Sequence, residues 1–368
     1  MKIKVKRDGL IAPIQLISNV VERRQTLPVL ANMKIKVDNG RLQMVGTDLE
    51  VELQTNSDVE MESAGEVTMP AKKLNDIWRS LPATEDIVLE QVNDKVTIKC
   101  GRGKYSLSTI GVNEFPDSLG FVDAEPINID SDVFKQSVEQ VSFAMAQQDV
   151  RYFLNGMLLE VEGGVIKLVA TDGHRLAMTE MSLGAGSSGS SEGARAIIPR
   201  KGVLELLKII DGSDEFQLCM SDKLVSVQAN DRRFTSKLVE GQFPDYNKVV
   251  PEGGSIEVSL DRLVFRDALQ RASILSNEKY RGVRLSLSKG AVKIQANNPE
   301  QEEAEEILES DYEGSDVEIG FNVGYILDVL SVLDSEEVRI TLSDGNSSAL
   351  LEGVDESNAI YVVMPMRL

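Results

Sequence analysis

The sequence predicts an α+β protein made of three repeated domains, each an antiparallel sheet with two helices. Two observations carry this. An amphipathic helical stretch followed by an alternating strand recurs at intervals of about 125 residues. In each copy a second helix and further strands follow at the same offset. Composition agrees, since 42% hydrophobic and 27% charged residues suit a chain that buries a core.

In the first copy, Lys2, Lys4, Lys6 and Arg7 precede Leu10-Ile11-Ala12-Pro13-Ile14 and imitate a signal peptide. Gln15, Ser18 and Asn19 interrupt the apolar run and no small-residue cleavage site follows, so the segment reads as an edge strand leading into an amphipathic helix. Leu10, Ile14, Ile17 and Val21 form that helix's apolar face. A strand over Met33–Val37, the marker Gly46-Thr47-Asp48-Leu49, a helix with Leu74, Ile77, Trp78 and Leu81, and a strand over Val96–Cys100 complete the copy.

The second copy repeats this with Phe134, Val138, Val141 and Met145 behind a Ser131 cap. It continues with Met157–Val161, Ala170-Thr171-Asp172-Gly173, and the helix of Val203, Leu206, Leu207 and Ile210. The third has Phe265, Ala268, Leu269 and Ala272 with Ser259 as cap. Val283–Leu287, Ala296-Asn297-Asn298-Pro299, the helix of Ile326, Val329, Leu330 and Leu333, and Val338–Leu342 follow. Phe115-Pro116-Asp117 and Phe243-Pro244-Asp245 end the first two copies, because proline stops a strand. The expected domains are therefore 1–125, 126–253 and 254–368. The Ser/Gly run from Ser182 to Gly193 reads as a surface loop between strands.

Several function classes drop out. No apolar run approaches the roughly 20 residues that span a bilayer. Cys100 and Cys219 are isolated, without CxxC or histidine spacing, so neither a disulfide framework nor a metal site is indicated, and a cytoplasmic chain is expected. His174 is the only histidine. Asp172 lies nearby, but no nucleophile motif accompanies them. No phosphate-cradling loop, HExxH or dinucleotide fingerprint occurs, so neither catalysis nor a cofactor is expected. The enzyme alternative, a hydrolase using Asp48 and Asp172, places both carboxylates at equivalent points of separate copies, and nothing brings them together.

A net charge of −20 argues against DNA binding by the whole surface. The run Glu300–Glu306 reads either as a solvated acidic face or as the counterpart of the basic series Lys95, Lys99, Arg102 and Lys104. The second reading implies a head-to-tail join between copies one and three. Basic residues also recur on the helices, at Arg23 and Arg24, Lys72, Lys73 and Arg79, Arg200, Lys201 and Lys208, and Arg262, Arg266 and Arg271. Singly these are solvated helix faces. If all the helices face one way, they form a basic lining on an acidic body that tolerates phosphates without reading bases. The terminal Val363-Met364-Pro365-Met366 reads either as a last strand or, with Leu154 and Leu176, as an apolar groove.

Three stretches carry a family resemblance: Gln148–Gly156, Thr171–Leu176 and Tyr361–Leu368. With them, the chain resembles the bacterial DNA sliding clamp family, the processivity (beta) subunits of the DNA polymerase III holoenzyme, in order from end to end. The resemblance implies the DNA clamp fold, in which three similar domains per chain pair head to tail with a second chain. The resulting ring slides on duplex DNA and is not an enzyme. Implied partners are the replicative polymerase catalytic subunit, the clamp loader, translesion polymerases and repair factors. The implied peptide cleft comprises Leu154, Thr171, Gly173, His174, Arg175, Leu176, Pro244, Lys248, Val249, Tyr280, Asn322, Tyr325, Ser348, Val362, Met364, Pro365, Met366 and Arg367. Lys248 stands where relatives often carry arginine, and Phe153 where a tyrosine is common. The positions implied near DNA are Arg24, Lys73, Gln148, Tyr152, Phe153, Lys201 and Arg284. The implied homodimer contact sets Tyr105 and Leu107 of one chain against Ile274 and Leu275 of the other, flanked by Glu300 and Glu303. A repeat scaffold that binds peptides but not DNA is the remaining alternative.

Overall fold

The computed structural model describes residues 1–21, 27–184, 193–251, 253–354 and 358–367. The first copy runs β1 (Lys2–Lys6), α1 (Arg7–Val20), β2 (Asn32–Asp38), β3 (Arg41–Thr47), β4 (Val51–Asp58), β5 (Glu60–Ser63), β6 (Gly65–Pro70), α2 (Ala71–Ser80), β7 (Asp86–Val92), β8 (Lys95–Cys100) and β9 (Gly103–Ser108). The second runs β10 (Ile127–Asp130), α3 (Ser131–Ser142), β11 (Gly156–Glu162), β12 (Val165–Thr171), β13 (Arg175–Ser182), β14 (Ala194–Pro199), α4 (Arg200–Ile210), β15 (Glu215–Met220), β16 (Leu224–Ala229) and β17 (Arg232–Lys237). The third runs β18 (Ile256–Asp261), α5 (Arg262–Ser273), β19 (Gly282–Ser288), β20 (Ala291–Asn297), β21 (Glu303–Glu309), β22 (Val317–Asn322), α6 (Val323–Val332), β23 (Glu337–Leu342), β24 (Ala349–Gly353) and β25 (Ala359–Val363).

The sheets do not respect the copies. One sheet, β5-β1-β7-β8-β9, belongs to copy one, and another, β21-β20-β19-β22, to copy three. The two eight-stranded sheets are spliced: β10-β15-β16-β17-β4-β3-β2-β6 joins copies two and one, and β14-β11-β12-β13-β25-β24-β23-β18 joins copies two and three. The splices are antiparallel ladders, β17 on β4 and β25 on β13. Accordingly the chain forms two compact units that cut through copy two. The first holds Met1–Asp132 and Lys201–Leu238; the second holds Val133–Leu183, the strand β14 and the chain from Val239 on.

Local sequence explains the elements. Alternation puts Met33, Ile35 and Val37 of β2 in the core, and helical spacing does the same for Leu10, Ile14 and Ile17 of α1. At Gly46 a Cβ would stand 2.7 Å from Ile17 Cγ2, so glycine lets α1 lie close on β3. Trp78 is fully buried beneath α1 and donates its indole N–H to the Arg7 carbonyl at 2.9 Å.

Three expectations are corrected. The strand β1 is not at an edge, because β5 pairs along its outer side, with Lys2–Glu62 and Lys4–Glu60 ion pairs across the ladder. Ser131 opens α3 as its first residue, yet its buried hydroxyl has no hydrogen-bond partner. Ser259 lies within β18, and Asp261 caps α5 instead, accepting the Val264 N–H at 2.8 Å. In both places the strand runs straight into the helix, and at α5 the cap falls at the junction itself. Of the Ser/Gly loop, residues 185–192 lie outside the described residues.

Replacing Trp78 by Ala removes a fully buried ring and one hydrogen bond, and should lower unfolding stability by about 3–5 kcal/mol. Replacing the exposed neighbour Arg79 should change it by less than about 0.5 kcal/mol. Urea unfolding of the two variants is the check, and equal midpoints would refute the packing assigned to Trp78.

Candidate functional site

The candidate site lies in the second unit, where β12 turns into β13. Thr171 donates its hydroxyl to the Arg175 carbonyl at 2.6 Å and accepts the Gly173 N–H at 3.1 Å. Asp172 Oδ1 accepts the N–H groups of His174 and Arg175 at 2.8 and 3.0 Å. Gly173 has φ +88°, a conformation that favours glycine. This turn aims the Arg175 side chain inward. Its guanidinium pairs with Asp172 at 3.1 Å and Asp328 at 2.5 Å and donates to the Phe143 carbonyl at 2.9 Å. It also lies 5.0 Å from the Phe143 ring and 4.8 Å from the Tyr325 ring. His174 stacks on the other side of the network, its ring 6.1 Å from Tyr325 and tilted by only 16°.

The terminal strand closes the site. After β25 leaves β13, Met364 donates its N–H to the His174 carbonyl at 2.9 Å, and Met366 donates its own to Gly320 of β22 at 2.7 Å. The tail thus bridges two sheets of one unit. Beside it a cavity of about 610 Å³ is lined by Arg284, Glu318, Ile319, Gly320, Gly345, Asn346, Pro365, Met366 and Arg367. The apolar floor consists of Leu158, Val169, Leu176, Ile197, Phe243, Tyr246 and Val362, with Phe153, Met178, Val249, Val250 and Leu350 packed against it. Tyr246 donates its hydroxyl to Glu160, and burial holds its proton on to well above the ordinary tyrosine range.

Among the residues anticipated for a cleft, Leu176, Val249 and Val362 therefore share one cluster, and Thr171, Gly173, His174, Arg175, Tyr325 and Met364 share one bonded network. Leu154 is buried. Asn322 caps α6 by accepting the Gly324 N–H at 2.9 Å. Tyr280 is exposed with its N–H held by Asn277, Lys248 pairs with Asp245 at 3.0 Å, Pro244 is exposed and Ser348 half-buried. No described bond joins these last four to the network. Sequence reasoning missed Asp328 and Phe143. Asp328 stands three residues after Tyr325 on α6, so the shared helical face was a usable signal, whereas nothing local marks Phe143.

The residues anticipated near DNA are dispersed in role. Tyr152 is 74% exposed, Gln148 is exposed on a left-handed backbone at φ 57°, and Lys73 is exposed on α2. Phe153 packs on the apolar floor. Lys201 binds Asp48 at 2.5 Å and the Val20 carbonyl at 3.2 Å, and Arg284 binds Glu318 at 2.8 Å. Arg23 and Arg24 lie outside the described residues. The basic residues of α5 are likewise engaged: Arg262 with the Ser335 and Leu330 carbonyls, Arg266 with Asp267, and Arg271 with Glu306.

Each of the four sheets ends in two strands without an outer partner among the described residues, and β9 and β21 are two of these. On β9, Tyr105 is exposed but Leu107 is buried in its own sheet; on β21, Glu303 is exposed and Ile307, unanticipated, is 62% exposed. Near β21, Ile274 at the end of α5 is 76% exposed, Leu275 is half-buried and Glu300 is exposed.

Catalysis finds no support. Asp48 caps its own turn, accepting the Glu50 and Val51 N–H groups at 2.9 and 2.8 Å, just as Asp172 does. Among the described residues no cluster of three His, Cys, Asp or Glu is placed to hold a metal, and no helix is long and apolar enough to cross a membrane.

Three spliced copies and an apolar cleft beside the last strand are the architecture of a clamp-type binding protein. Comparison with known proteins agrees along the whole chain. Residues 1–119, 128–245 and 247–367 match the N-terminal, central and C-terminal domains of the DNA polymerase III beta subunit. Curated relatives include beta sliding clamps of Pseudomonas aeruginosa, 48% identical over 372 residues, and Escherichia coli K12, 43% identical over 370, each alignment covering both chains fully. The crystal structure of the P. aeruginosa subunit superposes with a TM-score of 0.95 over the full length of both chains. A sliding clamp from that organism is also known bound to griselimycin, with the same score. The chain belongs to the bacterial beta sliding clamp family, the beta subunits of DNA polymerase III.

Asp149 accepts a fork of bonds from Arg151, at 3.0 and 2.9 Å, and these hold its carboxyl down to about 2 from 3.8. A depressed folded value stabilises above the unfolded value, and the contribution disappears as pH falls through the folded one. The Asp149 carboxyl should therefore stay ionised at pH 3 and take up its proton only toward pH 2. An NMR titration placing the Asp149 midpoint near 4 would refute the fork in solution.

Proposed function

We propose that this chain is a DNA polymerase processivity factor that acts as a head-to-tail homodimeric ring around duplex DNA. Its domains are assigned as 1–125, 126–253 and 254–368, and its place as the cytoplasm. The replicative polymerase subunit, clamp loader, translesion polymerases and repair factors would dock short apolar peptides in the cleft beneath Met364. The griselimycin-bound relative supports a ligand site in the family. Lys73, Gln148, Tyr152 and Arg284 are the candidates to face DNA, while Phe153 is better assigned to the cleft floor.

The observation that carries this reading is that β9 and β21, unlike their counterparts in the other copies, have no outer partner among the described residues. Copy one gives β4 to β17 of copy two, and copy two gives β13 to β25 of copy three. In the same series β21 lacks a partner on its outer side and so does β9, which stands where β17 and β25 stand in their copies. Pairing β21 of one chain with β9 of a second repeats the splice and covers the outer sides of both strands. Phe234 faces Leu53 and Tyr361 faces Ala177 in the two internal ladders. Continuing that register sets Tyr105 opposite Ala304, and Lys104 opposite Glu305, of the partner subunit. Basic β9 against acidic β21 is thus a matched pair.

Single reversals Lys104→Glu and Glu305→Lys should each weaken dimerisation several-fold, and the double reversal should restore it. Replacing Ile274 and Leu275 with Ala should give monomers by sedimentation, because an interface core is lost. Additive losses in the double reversal would reject the register, and a dimer as tight as before in the alanine variant would reject the interface.

Ring function itself is tested by loading the protein on circular DNA with clamp loader and ATP, then cutting the circle. Retention on the circle with rapid loss after cutting is expected for a topological link. Equal retention on both forms would mean direct DNA affinity. No retention, with the loader verified on another clamp, would favour a peptide scaffold.

A further inference from the structure

The splice of β4 with β17 in the first unit repeats, bond for bond, the splice that carries the cleft. Thr47 donates to the Val51 carbonyl at 2.8 Å, as Thr171 does to Arg175. Lys237 donates its N–H to the Glu50 carbonyl at 2.9 Å, as Met364 does to His174. A matching apolar cluster is present too, formed by the buried Val29, Leu30, Val45 and Phe115. By strand position Val45 and Phe115 match Val169 and Phe243 of the cleft floor. Backbone alone thus allows a second peptide site.

The floor differs. Leu176 sits opposite Val362 in the cleft, and the same ladder position in the first unit pairs Glu52 with Thr235. Leu350, opposite Thr341, is likewise replaced by Ser226, opposite Cys219. Each polar substitute binds the segment after Phe115. Glu52 accepts the Ser118 hydroxyl at 2.5 Å and the Leu119 N–H at 3.2 Å. Thr235 donates to the Gly120 carbonyl at 2.9 Å, and Ser226 accepts the Val122 N–H at 3.0 Å. The two hydroxyls lie 3.0 Å apart. All three side chains are buried.

We propose that Glu52, Ser226 and Thr235 hold the Ser118–Val122 segment down at this position and so restrict the chain to one peptide cleft. This rests on the cleft reading above. An entering apolar side chain would have to break these four bonds and leave a buried carboxylate and two hydroxyls unpaired, which a short peptide's apolar contacts do not offset. In the second unit the corresponding floor of Leu176, Leu350 and Val362 has no polar side chain, and Tyr246, Val249 and Val250 of the corresponding segment rest on it by apolar contact, which an apolar ligand can replace. The three residues are specificity determinants that act by closing a site.

The test is calorimetric titration of the full-length protein with a synthetic peptide of the replicative polymerase's C-terminal tail. Wild type should take one peptide per chain, and the triple variant Glu52→Leu, Ser226→Leu, Thr235→Val should take two. Two on wild type, or one on a folded triple variant, overturns the inference while the cleft reading survives. No binding to wild type overturns the cleft reading and the inference with it. Should the triple variant not fold, hydrogen exchange on wild type decides. The Leu119 and Val122 amides should exchange about tenfold or more slowly than unbonded loop amides, with Glu52→Ala releasing Leu119. Fast exchange at both in wild type overturns the proposal.

Discussion

Everything about the site follows from one constraint, that a sheet edge must be paired. A copy of this repeat, standing alone, would expose the outer sides of its two half-sheets. The chain meets the constraint by splicing consecutive copies, β4 to β17 and β13 to β25. Each splice brings a turn, a segment from the following copy and a strand end into one place. The cleft is therefore not carved into a finished domain; it forms where two repeats share a ladder.

Within the second unit, a single guanidinium organises that place. Arg175 satisfies two carboxylates, one carbonyl and two aromatic faces. Planarity matters here, because a lysine ammonium could not serve carboxylates on separate elements while lying against two rings. Asp172 is shared, with one oxygen capping the turn and the other holding the guanidinium. Turn geometry, α6 and the histidine stacked on Tyr325 are thus coupled through two side chains. His174 acts as a flat surface and a backbone acceptor, a use for a lone histidine that requires no proton chemistry.

Much of the fold was legible because it is written locally. Phe134, Val138 and Val141, or Leu74 and Trp78, mark helices by spacing alone, and the three copies reinforce one another. Caps were less legible, since Ser131 is already the first residue of its helix and Ser259 lies two residues ahead of the capping Asp261. The place of β1 depended on β5, a four-residue strand too short and polar to announce itself. The splices were not legible in the residues, because Leu176 and Val362 meet from distant points of the chain. For the same reason the hold of Asp328 on Arg175 became visible only in three dimensions. What could be read of the cleft came through family resemblance rather than through any spacing.

The charge problem takes a different form once side chains are placed. A chain of net charge −20 with an affinity-driven DNA face would need unpaired cations, but Arg262, Arg266, Arg271 and Lys201 are all held by its own carbonyls and carboxylates. Cations already paired gain little from a phosphate, since contact with DNA must first give up an existing partner. Lys73 and Arg79 on α2 and the phenol of Tyr152 remain exposed. Such a surface binds DNA weakly at any one position, and weak local binding is what a sliding protein requires. On the function proposed above, attachment comes from closure of the ring around the duplex, so DNA retention would depend on the outer edges of β9 and β21 rather than on any basic patch.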